Sequence, residues 1–243
     1  MKARAITAQT RVEILLTVRR AESLLVTLAI PLGILVFFTK VDAVNTTLAH
    51  PVDFLVPGVL ALAVMSSAMV SLGIATGYER RYGVLKRLGS TPFTRAGLLS
   101  AKTLNVLALE VVQTVAIVVT GIALGWDASG GLIAAVGLLL LGTIAFAGIG
   151  MLLAGTLRAE ANLAVANGLF LVLLFLGGMA YPLHKLPDAL ETFAKALPAA
   201  ALSETLRGVL DKGASFPTGE LVVLVIWAIA APLAAARWFR WEE

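Results

Sequence analysis

The sequence predicts an all-α membrane protein with six transmembrane helices, an N-terminal amphipathic interface helix and short outer re-entrant helices. Three observations lead to this fold class: an apolar composition, six apolar runs, and an uneven distribution of Lys and Arg along the chain. Of the 243 residues, 59% are apolar and 14% are charged, and the mean hydropathy is +0.92. Because soluble domains carry about 25% charged residues, most of this chain is expected to lie in lipid.

The composition also excludes several kinds of site. The chain has no cysteine, which rules out disulfides, thiolate metal ligands and cysteine nucleophiles. Its two histidines, His50 and His184, stand apart from partner acids, so no metal site is expected. The net charge of +4 is attributed to basic loops at a membrane surface, and no nucleic acid partner is expected.

Each apolar run is close to the roughly 20 residues that a helix needs to cross a bilayer. The predicted spans are about 22–39, 54–77, 99–124, 132–155, 162–180 and 219–237. Pro31 is expected to kink the first and shortest span. The glycines of the fourth span are expected to give it a smooth packing face; they are Gly142, Gly148, Gly150 and Gly155. Residues 1–243 are predicted to form a single transmembrane domain.

Residues 1–21 precede the first span and mix apolar with charged side chains at roughly helical spacing. No cleavage site of small residues follows the first apolar run, so this segment is not expected to be a removable signal. It is predicted to be an amphipathic helix on the membrane surface.

The orientation follows from the Lys and Arg residues of the connecting segments. With the N-terminus inside, six spans also place the C-terminus inside. The inner segments then hold 14 Lys and Arg residues and the outer segments hold five. The excess of basic residues inside supports this arrangement, with both termini cytoplasmic.

The segment YERRYGVLKRLGSTPFTR, residues 78–95, is a basic cytoplasmic loop between the second and third spans in this topology. It is predicted to contain one short amphipathic helix from Tyr78 to Leu88, ended by Gly89. The residues alone leave two interpretations open. The loop is either an ordinary basic loop of the inner side or a specialised docking segment.

The spacing E-R-x-x-G-x-L-x-x-L-x-x-T-P favours the second interpretation. It is formed by Glu79, Arg80, Gly83, Leu85, Leu88, Thr91 and Pro92. This pattern resembles the cytoplasmic loop of type-2 ABC exporter permeases, a family of drug, lipid and polysaccharide exporters with separate ATPase subunits. The resemblance implies that loop 78–98 carries a coupling helix that docks on the ATPase subunit.

A second signature, G-x-x-x-P-x-x-x-L-P followed by L-P and E-x-x-R, lies in the segment after the fifth span. The residues that fill it are Gly178, Pro182, Leu186, Pro187, Leu197, Pro198, Glu204 and Arg207, and Tyr181 is a further candidate for the outer gate. It resembles the same family, in which this region forms short re-entrant helices at the outer gate, here expected over 181–217. The alternative is a peripheral cap on the outer leaflet.

Glu110 lies near the middle of the third predicted span. Inserting an ionised acid at this depth of the membrane costs a free energy on the order of 3 kcal/mol. Two interpretations stay open: a polar patch facing the substrate path or subunit interface, and a hydrogen-bonded group that joins two spans. Candidates for the path or interface are Glu110, Asn105, Gln113 and Asn167. Interhelical hydrogen bonds are also expected from Ser66, Ser67, Ser71, Asn162 and Asn167.

No catalytic motif is found, and the run GLLSAKT lacks the glycine spacing of a phosphate-binding loop. The chain is therefore not expected to be an enzyme or to bind a cofactor itself. The resemblance implies a permease subunit in a bacterial or archaeal cytoplasmic membrane, which exports a small hydrophobic, drug-like or lipid-like substrate by alternating access. It further implies an ABC ATPase subunit that holds ATP and Mg, and a second permease chain, either identical or a sister. The alternative is an ATP-independent six-span carrier or membrane scaffold.

Overall fold

The computed structural model describes residues 21–41, 51–89, 95–127, 130–179, 181–211 and 217–240. These ranges hold helices and no strand, as the predicted fold class requires. The helices are α1 Ala21–Val41, α2 Pro51–Arg81, α3 Val84–Gly89, α4 Arg95–Ala123, α5 Leu132–Thr156, α6 Ala159–Leu176, α7 Asp188–Lys195, α8 Pro198–Leu210 and α9 Thr218–Trp238. A turn of 3-10 helix, Leu183–Lys185, precedes α7. The predicted interface helix falls almost wholly on residues 1–20, outside the described ranges.

Five helices of the described ranges are long and apolar enough to cross a membrane, namely α2, α4, α5, α6 and α9. Helix α1 covers the position of the first predicted span and keeps Pro31 within it. Its apolar part, Thr27–Val41, is shorter than the other five. Five of the six predicted spans therefore coincide with span-length helices, and the first span stays a prediction.

The boundaries of two predicted spans are corrected. Helix α2 runs from Pro51 to Arg81, well beyond the predicted 54–77, and contains a π-helical turn at Met65–Ser71. Helix α6 ends at Leu176 and not near residue 180, because Gly178 takes a left-handed backbone conformation with φ +65°. Glycine adopts this conformation without the steric cost that a Cβ would add.

Helix α5 is the centre of the bundle, and its glycines allow close approach on more than one side. A Cβ on Gly150 would lie 2.6 Å from the Met69 carbonyl oxygen of α2. A Cβ on Gly148 would lie 2.5 Å from the backbone nitrogen of Pro232 in α9. The glycines therefore give α5 a close-packing surface, as expected, and this surface extends around the helix to different neighbours.

The α7–α8 hairpin reaches deep along the neighbouring helices. The indole nitrogen of Trp227, midway along α9, donates a hydrogen bond of 3.0 Å to the Ala196 carbonyl oxygen between α7 and α8. Ser203 of α8 donates to the carbonyl oxygen of Gly177, just after α6. The α7–α8 hairpin thus contacts α9 at one point and the end of α6 at another.

The outward faces of α4, α6 and α9 are apolar and exposed, as shown by Val115, Phe175 and Leu233, whose exposed fractions are 57%, 68% and 64%. Apolar surface of this extent is expected to face lipid or another membrane helix.

Candidate functional site

The predicted coupling helix is two elements and not one. Helix α2 continues to Arg81, and Tyr82 and Gly83 then form a turn in which the Gly83 nitrogen donates to the Arg80 carbonyl oxygen over 3.0 Å. Gly83 has φ +70°, which glycine tolerates far better than other residues. The prediction of one helix from Tyr78 to Leu88 is therefore wrong, and its first turn is the end of a spanning helix.

Glu79 binds a lysine on another helix. The Lys102 ammonium of α4 lies 2.7 and 3.0 Å from the two carboxylate oxygens of Glu79. The Lys102 side chain is only 2% exposed. Because an unpaired buried charge is strongly unfavourable, this pair fixes the end of α2 against the start of α4.

The next two residues bind two further helices. Arg80, which is buried, donates to the carbonyl oxygen of Leu157, directly after α5. Arg81 forms an exposed ion pair with Glu160 in the first turn of α6. Three consecutive residues at the end of α2 therefore connect it to α4, α5 and α6.

Helix α3 presents a different set of side chains to the outside. Leu85 is fully buried, whereas Tyr82, just before the helix, is 70% exposed, and Lys86 and Arg87 are also exposed. The backbone of Leu88 belongs to α3, while Thr91 and Pro92 lie outside the described residues. Of the predicted coupling residues, Glu79, Arg80 and Leu85 therefore form a buried anchor. The exposed basic surface is formed by Lys86 and Arg87, which are not among the predicted residues.

Glu110 lies in the interior and joins three helices. Ser67, in the π-helical turn of α2, donates a hydrogen bond of 3.0 Å to one carboxylate oxygen. Thr143 of α5 donates to the other. Glu110 is only 6% exposed, and each of its carboxylate oxygens accepts a hydrogen bond from another helix. This geometry supports the interhelical interpretation of Glu110.

Gln113 and Asn167, two of the other predicted path residues, donate hydrogen bonds to backbone carbonyl oxygens and not to Glu110. Gln113 is buried and donates a hydrogen bond of 3.1 Å to the Thr27 carbonyl oxygen of α1. Asn105 is half-buried nearer the start of α4. Asn167 is exposed, and its amide donates over 2.8 Å to the Leu163 carbonyl oxygen of its own helix. The hydrogen bonds of Gln113 and Asn167 therefore lead away from Glu110, and the substrate-path assignment stays a prediction.

Among the predicted interhelical polar groups, two have a partner on another helix. Ser67 binds Glu110, and the amide of Asn162 donates over 2.8 Å to the Gly73 carbonyl oxygen of α2. The amide hydrogen bond of Asn167 stays within α6. Thr143 was missed by sequence reasoning, because a single threonine in a glycine-rich span has no distinguishing pattern.

The second signature forms a compact cluster around Arg207. The guanidinium of Arg207 binds the Glu204 carboxylate and the Gly178 carbonyl oxygen. It also lies over the ring of Phe54 in α2, with 3.9 Å between the guanidinium carbon and the ring centroid. Residues from the start and the end of the signature therefore meet in space, although they are 29 positions apart.

The remaining signature residues shape the chain around this cluster. Pro187 precedes α7, and Pro198 is the first residue of α8. A backbone N–H at the first position of a helix has no partner within the helix, so a proline there loses no hydrogen bond. Pro182 is buried, whereas Tyr181 is exposed and has the Lys185 ammonium 5.7 Å from its ring centroid.

A cleft of about 360 Å³ opens beside this cluster. Its lining includes the Glu204–Arg207 pair and the Glu191–Lys195 pair, in which nitrogen and oxygen are 2.7 Å apart. The hydrogen bond with Glu191 raises the pKa of Lys195 above its ordinary value. The cleft therefore has a charged wall at the predicted outer end of the molecule.

Comparisons with known proteins agree with this architecture. Residues 4–210 match the model of the family described as ABC-2 type transporter. The chain is also similar to YvfS of Bacillus subtilis (strain 168), which its name assigns to the transport permeases. The two are 27% identical over 183 residues, which cover 70% of this chain and 71% of the relative.

Proposed function

The chain belongs to the ABC-2 type transporter family, and from this membership we propose that it is the permease subunit of an ATP-driven exporter for a hydrophobic, drug-like or lipid-like substrate. In this proposal the chain spans the membrane of a bacterium or archaeon with both termini in the cytoplasm. It pairs with a second permease chain, and an ATPase subunit that holds ATP and Mg binds at the cytoplasmic ends of its helices.

One observation carries the coupling part of the proposal. Glu79, Arg80 and Arg81 connect the end of α2 to α4, to the end of α5 and to the start of α6. Helix α3 follows directly, so a force applied to α3 is transmitted to four spanning helices through charged contacts. Such a connection is what a two-state transporter needs, because binding at one end must change the packing of the whole bundle.

The buried anchor and the exposed surface of this segment have different roles in the proposal. Lys86 and Arg87 are exposed, so they are the charges that contact an acidic surface of the ATPase. Glu79 and Arg80 are engaged inside the bundle, so they transmit the movement without forming the contact.

The outer cluster supports a gate. Arg207 joins α8 to the turn after α6 and to the ring of Phe54 in α2. The α7–α8 hairpin also reaches the midpoint of α9 at Trp227. We propose that this hairpin re-enters the membrane from the outer side and closes the substrate path until the bundle changes state.

The test separates docking from coupling. The tagged permease is purified with its ATPase, and ATP hydrolysis and substrate export are measured in proteoliposomes. The double variant Lys86→Glu and Arg87→Glu should lose most of the ATPase during purification. The variant Arg80→Gln should retain the ATPase and its hydrolysis but reduce export by at least tenfold.

Lys185→Glu is the matched control, since it reverses an exposed charge at the predicted outer end. It should change neither ATPase recovery nor hydrolysis. If the unaltered chain recovers no ATPase, or if Arg80→Gln exports normally, the proposed function is wrong.

A further inference from the structure

An apolar groove lies between α6 and α9, with α5 as its floor. Its volume is about 260 Å³. It is lined mainly by Leu152, Leu169, Leu173, Trp227, Ala230 and Ala234. The small side chains of α9 leave this space open, because larger residues at the two alanines would fill it. Leu197, between α7 and α8, and Pro198, the first residue of α8, line the end of the groove beside Trp227.

The groove lies along the part of the bundle that faces hydrocarbon. Helices α6 and α9 both have the length and hydropathy of membrane spans, and most of their side chains are not buried by the protein. From Trp227 to Ala234 the groove extends about 10 Å along α9, at 1.5 Å per residue. The groove therefore opens sideways toward the hydrocarbon, and its apolar lining suits a hydrocarbon chain.

Three arginines lie near the ends of α5 and α9, beyond the end of the groove that Ala234 marks. Arg237 and Trp238 continue the face of α9 that lines the groove, because they follow Ala234 by three and four residues. Arg158 lies in the turn between α5 and α6. The backbone nitrogen of Arg240 donates a hydrogen bond of 3.1 Å to the Gly155 carbonyl oxygen, which brings the chain after α9 against the end of α5.

The charges of this end are available for a ligand. The side chains of Arg158, Arg237 and Arg240 are exposed, and none has a hydrogen bond or ion pair with another part of the chain that the structure describes. Glu160, which is close in sequence, is already paired with Arg81. Glu242 and Glu243 follow in the sequence outside the described residues, and three arginines still exceed two acids.

We propose that the groove and the three arginines form a binding site for an anionic phospholipid. One acyl chain lies in the groove, and the phosphate lies among the arginines at the predicted cytoplasmic surface. Trp238 is 59% exposed and lies at the level where tryptophan favours the interface between headgroups and hydrocarbon.

Charge complementarity favours a phospholipid over other occupants. The general excess of basic residues on the inner side accounts for the sign of the arginines, but not for the presence of three of them at the ends of the helices that line an apolar slot. A helix of a second copy would supply the apolar part alone. Basic pockets between membrane helices on the cytoplasmic side bind phosphate-bearing headgroups, and each basic residue near such a surface contributes about fivefold to binding.

The experiment uses the full chain in nanodiscs that contain equal amounts of phosphatidylcholine and phosphatidylglycerol. After mild release into the gas phase, native mass spectrometry counts the lipids that stay bound. Phosphatidylglycerol should be retained over phosphatidylcholine. Arg237→Gln should lower this preference about fivefold, and the triple variant Arg158→Gln, Arg237→Gln and Arg240→Gln should abolish it, whereas Arg237→Lys should keep it.

The apolar half of the site is tested separately. Ala230→Phe should fill the groove and reduce lipid retention at least fivefold. Ala108→Phe is its matched control, because Ala108 is an exposed alanine in the middle of α4, and Lys40→Gln controls for the loss of one charge elsewhere. Both controls should bind lipid as the unaltered chain does.

Two results would overturn the site. One is equal retention of the two lipids by the unaltered chain. The other is a change of oligomeric state in Ala230→Phe with lipid retention unchanged, which would assign the groove to a second copy. Neither readout needs ATP or the ATPase. The lipid-binding proposal can therefore be wrong while the proposed transport function is right, and the transport function can be wrong while the lipid site is right.

Discussion

At the scale of single residues, buried ionisable groups in this protein hold helices together. Glu110 accepts hydrogen bonds from Ser67 and Thr143, and Lys102 pairs with Glu79. A charged group that is rare within membrane spans often marks a transport pathway. Here the hydrogen bonds of Glu110 go to neighbouring helices, which favours a packing role between α2, α4 and α5.

Thr143→Val tests this role. The change keeps the shape of the side chain but leaves one oxygen of Glu110 without its donor, so we expect a loss of about 1–2 kcal/mol in the free energy of unfolding. Denaturation in mixed detergent micelles measures it. In a chain that already carries Glu110→Leu, Thr143→Val should lower the free energy of unfolding much less, because both polar partners are then replaced by apolar groups.

Thr156→Val provides the control, since Thr156 is exposed on the same helix and its hydroxyl binds only carbonyl oxygens of that helix. Its effect should stay within about 0.5 kcal/mol. Equal losses for Thr143→Val and Thr156→Val would show that the bond to Glu110 does not stabilise the bundle.

At the scale of elements, α5 has glycines both where it closely contacts other helices and, at Gly137, where no atom lies within 4 Å of an added Cβ. Without a hydrophobic driving force between helices in lipid, close backbone approach is a main source of packing energy. Gly150 contacts Met69, so the π-helical turn of α2 packs against a residue of α5 that has no side chain.

Gly150→Ala should therefore be destabilising. Its Cβ would lie 2.6 Å from the Met69 carbonyl oxygen, and relieving that clash by shifting the backbone should cost about 1–3 kcal/mol of unfolding free energy. Gly137→Ala on the same helix is the matched control, because a Cβ there meets no atom within 4 Å. That variant should be neutral or more stable by up to about 1 kcal/mol, since alanine favours helix. A Gly150→Ala protein as stable as Gly137→Ala would contradict the close packing of α5 on α2.

At the scale of the whole molecule, the orientation in the membrane stays a prediction from the basic residues. Because the sequence contains no cysteine, a single introduced cysteine is the one thiol of this chain that a reagent can label, and the orientation can be measured directly. Cysteine at position 185 should react with a membrane-impermeant maleimide in intact cells. Cysteine at position 86 should react only after the membrane is made permeable.

Lys185 and Lys86 suit this comparison, since both are exposed lysines at opposite predicted sides of the bundle. Labelling of position 86 in intact cells, with position 185 protected, would reverse the orientation. It would also remove the basis for an ATPase at α3.

The sequence by itself determined the membrane class, the approximate positions of five spans and the family, since each depends on composition or on spacing within one segment. A run of about 20 apolar residues has few other stable environments than lipid. The two signatures likewise identify the family from local spacing, and the match over residues 4–210 confirms it.

The tertiary structure decided what each polar residue binds. Spacing could place Glu79, Arg80 and Glu110 on their helices, but their partners Lys102, Leu157 and Thr143 lie on other helices, and helical periodicity carries no information about which helices are neighbours. For the same physical reason, the break at Gly83 and the groove beside α9 appeared only in the folded chain. Both depend on how separate segments pack against each other, whereas the sequence pattern reports the preference of each segment alone.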